Sequence, residues 1–190
     1  MFTRVLVDAN VLVSRTLRDW ILLLQINAPG MFATCWTEDI LAETVYGIRR
    51  RNRHADGEVI TRIADRLRAT MSERIEGFAV KPFPALTDAN DLHVHAAALA
   101  GGVNMLLTDD SDFLHLPPQV LDELPYEVID ADSFLVLVDD SSPTSVSEVM
   151  HQQWTYWRSK DPSTDLPQRL RDAGCPQFAE RLWRHQHADL

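Results

Sequence analysis

Cysteine is scarce in this chain of 190 residues: Cys35 and Cys175 stand far apart, outside any CxxC or Cys/His spacing. That excludes a disulfide framework and argues against a zinc site, leaving two structural thiols suited to a reducing compartment. Long apolar runs are missing too, so no stretch reaches the ~20 residues that a membrane-spanning helix needs. The N-terminus enters a strand-like RVLV run without the basic and apolar regions of a signal peptide, so a cytoplasmic protein with no membrane association is expected. Basic residues are outnumbered, 18 Lys and Arg against 28 Asp and Glu, for a formal net charge of −10. That is the wrong sign for a protein that coats nucleic acid, whose phosphates call for Lys and Arg. It leaves room for an enzyme that gathers its basic residues locally. No repeat or low-complexity segment is present, and the length fits one domain with a small appendage.

What the chain does have is carboxylates placed after apolar runs. Met105–Leu107 reads as a buried parallel strand and breaks into Asp109, Asp110 and Asp112. Phe2–Val7 has the same grammar, its apolar Val5–Val7 ending at Asp8-Ala9-Asn10. Ligands of open α/β sheets bind beyond the carboxyl ends of such strands. Taken singly, Asp8 is as well explained as a turn or capping acid.

Between these strands, Met31–Ala33 is a short strand candidate, and Thr37 caps a helix running to about Arg51. Glu43 lies in mid-helix among apolar neighbours, where a solvated acid is the plain alternative. The helix ends in Arg49, Arg50, Arg51 and Arg53, which either complement the helix dipole or form a local phosphate-binding surface. Gly57–Ile75 reads as an amphipathic helix, and Thr87-Asp88 opens another, from Ala89 to Ala100, with Asp91 in its first turn. His93 and His95 lack an i, i+4 partner and read as surface or core histidines. Tyr126–Ile129 is a last strand, and Asp132 a cap for the short helix after it. The polar stretch 139–145 marks a boundary, giving a domain over 1–140 and a helical accessory domain over 141–190. The latter holds segments Val146–Ser159, Asp165–Ala173 and Pro176–His187. Trp154, Trp157 and Trp183 there are expected to supply core, with a docking surface as the lesser alternative.

Alternating strands and helices favour an α/β fold with a mostly parallel sheet. Four acids at one edge of it are suited to a hard cation such as Mg²⁺, which can activate water and stabilise charge on a phosphodiester. Four segments, VLVDANVL at Val5–Leu12, DILAETVYGI at Asp39–Ile48, DANDLHVHAAALAGG at Asp88–Gly102 and LLTDDSDF at Leu106–Phe113, give the chain a clear likeness. It resembles PIN-domain nucleases, and especially the VapC-type toxin ribonucleases of toxin–antitoxin systems.

The resemblance implies a three-layer α/β/α sandwich over about the first 135 residues, with the C-terminal helices as an appendage. It implies a Mg²⁺- or Mn²⁺-dependent endoribonuclease leaving a 3′-hydroxyl and a 5′-phosphate. Asp8, Glu43, Asp91 and Asp110 take the places of the family's metal-holding acids, and Asp112 that of an auxiliary catalytic acid. Asn10 and Thr108 match supporting polar residues; Asp88 is an extra ligand or a cap. The likeness further implies an RNA substrate, a cognate antitoxin and a homodimer. The alternatives are a catalytically silent RNA- or protein-binding module and a haloacid-dehalogenase-type phosphatase. The latter's DxDxT motif meets Asn10 at its third position.

Overall fold

A computed structural model describes residues 2–187. In chain order the elements are β1 (Thr3–Val7), α1 (Ala9–Val13), α2 (Arg15–Asn27), β2 (Phe32–Trp36), α3 (Glu38–Arg51), α4 (Gly57–Thr70) and β3 (Glu73–Arg74). A 3₁₀ turn (Ala89–Asp91) leads into α5 (Leu92–Gly101), β4 (Met105–Leu107), α6 (Ser111–Leu114), α7 (Pro118–Glu123) and β5 (Glu127–Ile129). Four helices complete the described chain: α8 (Ala131–Ser141), α9 (Pro143–Lys160), α10 (Leu166–Asp172) and α11 (Pro176–His187). None of the described helices is long and apolar enough to cross a membrane.

The chain divides into two compact units, the first made of Met1–Val13 with Gly30–Ile129 and the second of Ser14–Pro29 with Asp130–Leu190. The first carries a five-stranded sheet in the order β3-β2-β1-β4-β5, parallel at every pairing, as the expected α/β sandwich requires. Val5, Leu6 and Val7 are fully buried because β1 is the central strand, paired with β2 on one side and β4 on the other. The strand order reverses between β1 and β4: the chain winds outward through β2 and β3, then returns to start again on the other side. That reversal makes the carboxyl ends of β1 and β4 the switch point of the sheet.

Local chemistry sets the ends of the elements. The Thr37 hydroxyl accepts the Ile40 N–H at 3.0 Å, as a cap for α3 should. Gly102, at φ +53°, closes α5 in the left-handed conformation that lacks a steric cost only for glycine. The helix expected over Gly57–Ile75 stops at Thr70, and Glu73–Arg74 becomes an edge strand paired with Cys35 and Trp36. Two exposed charged residues carry no strand signal of their own; pairing with β2 makes them a strand.

The second unit is helical. Trp20 of α2 meets Phe178 of α11 edge-on at 5.1 Å, both essentially without solvent exposure. The polar stretch read as a boundary is largely helix, since α8 runs to Ser141 and Pro143 begins α9. The cap of α8 is Asp130 rather than Asp132, accepting the Ser133 N–H at 2.8 Å. Asp132 instead accepts the Gln177 and Phe178 N–H groups at 3.0 and 2.8 Å, satisfying the start of α11. The three C-terminal tryptophans supply less core than expected: Trp183 is exposed, and Trp154 and Trp157 are half-buried. Arginines cover two of them, Arg15 and Arg169 over the Trp157 ring at 4.5 and 3.6 Å and Arg158 over Trp154 at 4.6 Å.

Candidate active site

β1 delivers Asp8 to the switch point, 5% exposed. Both of its carboxylate oxygens accept hydrogen bonds: the Ala9 N–H donates to Oδ1 at 2.6 Å, while Asn10 Nδ2 and the Thr108 hydroxyl donate to Oδ2 at 2.8 and 2.7 Å. Burial pushes this carboxyl above its ordinary range; the bonds from Thr108 and Ala9 oppose that, and the charges of Glu43 and Asp110 reinforce it.

Thr108 and Asn10 fasten the ends of β1 and β4 together. Asn10 Nδ2 also donates to the Thr108 hydroxyl at 2.9 Å, and its Oδ1 accepts the Asp109 N–H at 3.1 Å. The Asp110 N–H donates to Thr108 Oγ1 at 3.1 Å. Both residues thus bond to Asp8, and Thr108 also accepts the Asp110 N–H.

Asp110 caps α6, its Oδ1 accepting the Asp112 N–H at 2.8 Å. The Asp112 carboxylate accepts the Thr87 hydroxyl and, at 3.3 Å, the Asp88 N–H. That joins the β4 end to the turn carrying Asp91. Nothing in the local pattern around Thr87 signals this contact, because its partner lies 25 residues away. Asp88 takes the capping option, accepting the Asn90 N–H at 2.8 Å.

Asp91 is displaced in the same direction as Asp8. Burial, followed by the negative charges of Asp110, Asp88, Asp8 and Asp112, pushes its carboxyl up to about 7. Glu43, on α3, has an exposed side chain whose charge reaches Asp8 and whose Oε1 lies 3.0 Å from His93 Nε2. The fold therefore brings Asp8, Asp91, Asp110 and Asp112 into one electrostatic group, with Glu43 acting on it from the neighbouring helix. Among the described residues no three Asp, Glu, His or Cys side chains are close enough to hold a metal ion directly. The donor set is nonetheless all oxygen and uncompensated in charge, which fits a hard cation taking one or two carboxylates and keeping its waters.

Beside Asn10 lies a cavity of about 410 Å³ lined by Asn10, Val13, Gly47, Arg50, Arg51 and Arg53. Three of the four singled-out arginines thus border the site. Arg49 does not; its guanidinium donates to the Ala55 carbonyl and holds the turn after α3.

A parallel sheet with acids beyond the carboxyl ends of β1 and β4 defines an α/β protein with an acidic edge. The family model described as PIN domain matches residues 4–112, more than half of the chain and a span containing each of these acids, and the chain belongs to that family. No curated protein and no solved structure matches it. PIN domains are typically nucleases, hydrolases of phosphodiester bonds, and such nucleases generally use divalent metal ions.

Proposed function

We propose that this protein is a Mg²⁺- or Mn²⁺-dependent endoribonuclease, acting as the toxin of a VapBC-type pair. The observation that carries the reading is the gathering of Asp8, Asp91 and Asp110 about the carboxyl ends of β1 and β4, where burial first and the neighbouring negative charges second push Asp91 up to about 7. Asp8, Glu43, Asp91 and Asp110 would hold the ion, with Asp112 assisting. When bound, such an ion lowers the pKa of water and stabilises charge on a phosphodiester.

The chain's own residues prepare that chemistry. Asn10 and Thr108 hold Asp8 in one orientation by donating to the same oxygen. Asp112 ties the turn bearing Asp91 to the β4 end through Thr87 and Asp88. Arg50, Arg51 and Arg53 supply positive charge at the cavity beside Asn10, where an RNA backbone would pass. An antitoxin that covers this edge and a homodimer belong to the same proposal, as does a cytoplasmic setting.

The test is cleavage of total cellular RNA with Mg²⁺, Mn²⁺ or EDTA, with 5′ ends mapped, beside Asp110→Asn. The amide in this variant can still cap α6, so the fold should survive while discrete metal-dependent cuts disappear. Undiminished cutting by the variant would remove Asp110 from the machinery.

A silent binding module is the second reading, and one observation favours it: Asp88, Asp110 and Asp112 all accept backbone N–H groups, work that acids do without any catalysis. Absence of cutting by folded wild-type protein that binds Mn²⁺ would select it. The phosphatase reading loses ground, since Asn10 spends its amide on Asp8 and Thr108.

A further inference from the structure

His93 sits in the first turn of α5, two residues beyond Asp91, with a side chain only 14% exposed. Its Nε2 lies 3.0 Å from Glu43 Oε1. A carboxylate can only accept, so the ring carries its proton on Nε2 and donates it to Glu43. Its Nδ1 is buried and has no hydrogen-bond partner among the described residues. A histidine placed for its own solvation would satisfy both nitrogens. This one leaves Nδ1 unpaired while Nε2 meets the acid of a different helix.

Glu43 needs such a partner. It is half exposed, on a long side chain whose terminal torsion is broad, so the α3 backbone alone leaves the carboxylate many orientations. Asp8, Asp110 and Asp112 accept bonds from backbone and hydroxyl donors; the ring is the donor found for Glu43. We infer that His93 is a positioning residue: by donating from Nε2 it holds the Glu43 carboxylate in one orientation at the acidic edge, and so raises the affinity of that edge for a divalent cation. The inference rests on the metal-dependent reading above. It adds to it a group from the same short segment as Asp91, which orients the acid contributed by α3.

The test is calorimetric titration of the full chain with Mn²⁺ at one fixed pH, for wild type, His93→Phe and His93→Gln, with thermal melting of each in EDTA. Phe keeps an aromatic ring but no donor; Gln offers an N–H at comparable reach. His93→Phe should weaken Mn²⁺ binding about 10–100-fold, the usual effect of losing a partner of a metal ligand. Its melting temperature in EDTA should stay within a few degrees of wild type, and His93→Gln should recover most of the affinity. In a Glu43→Ala background the His93→Phe change should add almost nothing, because the two act as one unit. Wild-type affinity in His93→Phe would overturn the inference while leaving the metal-dependent reading standing. Equal loss in the Phe and Gln variants would place the imidazole on the ion itself and overturn it too. A wild-type chain that binds no Mn²⁺ would sink both.

Discussion

Gly47 offers a direct test of how the helices that flank the acidic edge are set. It lies inside α3, where glycine ordinarily costs about 1 kcal/mol relative to alanine, so Gly47→Ala on an isolated helix would stabilise. Here a Cβ at position 47 would meet Val13 Cγ2 of α1 at 2.5 Å, with Cγ1 at 3.4 Å and Cβ at 3.6 Å. Carbon atoms rest at about 3.5–4.0 Å, so the added methyl is roughly 1 Å too close. Val13 is β-branched on a helix and has one strongly preferred rotamer, which makes evasion by rotation costly. Overpacking of this kind costs about 1–3 kcal/mol, and subtracting the helix gain leaves a net loss of about 0–2 kcal/mol. Val13→Ala opens the space, and in that background Gly47→Ala should stabilise by up to about 1 kcal/mol. The assay is a double-mutant cycle of urea unfolding for wild type, both single variants and the double variant, with a coupling of about 1–3 kcal/mol expected. Stabilisation by Gly47→Ala in the wild-type background would refute the close approach of α1 and α3. Because α1 carries Asn10 and α3 carries Glu43, the destabilised single variant should also bind Mn²⁺ more weakly than the double.

Further expectations concern charge and packing. A carboxyl raised to about 7 keeps its proton at mildly acid pH, so cations must compete with protons at Asp91; Mg²⁺ should raise the melting temperature more at about pH 8 than at about pH 5.5, and an increment independent of pH would contradict this. His95 is buried against Phe83, with Nδ1 2.7 Å from the Tyr126 hydroxyl, and burial lowers its pKa. The unfolded chain then takes up a proton that the folded chain resists, so this group's contribution is lost as pH falls below about 6.5, and melting curves of His95→Gln should show less of that decline. Replacing Arg50 and Arg51 by alanine should lower the salt slope of binding to single-stranded RNA by about 1.4, whereas Arg49→Ala should leave it unchanged, in filter-binding titrations across ionic strength. Arg169→Ala should cost about 0.5–2 kcal/mol in chemical unfolding, since the guanidinium lies 3.6 Å from the Trp157 ring centre; an unchanged midpoint would make that contact incidental.

The parts of this molecule that local chemistry dictates were legible in the sequence. Val5–Val7 and Leu106–Leu107 are continuous apolar runs because they are buried, and their terminal acids fall where parallel strands end. Thr37 announced α3 because a cap acts within three residues. What stayed hidden depends on distant partners. Glu73–Arg74 is a strand only by virtue of Cys35 and Trp36, and Asp132 serves a helix beginning some forty residues later. The pairing of His93 with Glu43 follows from where α3 and α5 lie in the fold, which i, i+4 spacing cannot express. Arg49 could not be separated from its neighbours until the turn at Ala55 was placed.

The second unit is assembled from two stretches of chain, and this has a consequence for vectorial synthesis. Trp20, which ends up sealed, must wait for Phe178 to be made. At about 5–20 residues per second that is on the order of ten to thirty seconds, during which the contact of α2 with α11 is missing. Removing the residues after 140 would make that interval permanent. The C-terminal helices are therefore no detachable tail: a shortened chain would keep α2 while losing α9, α10 and α11, against which its apolar side closes, and should be prone to aggregate.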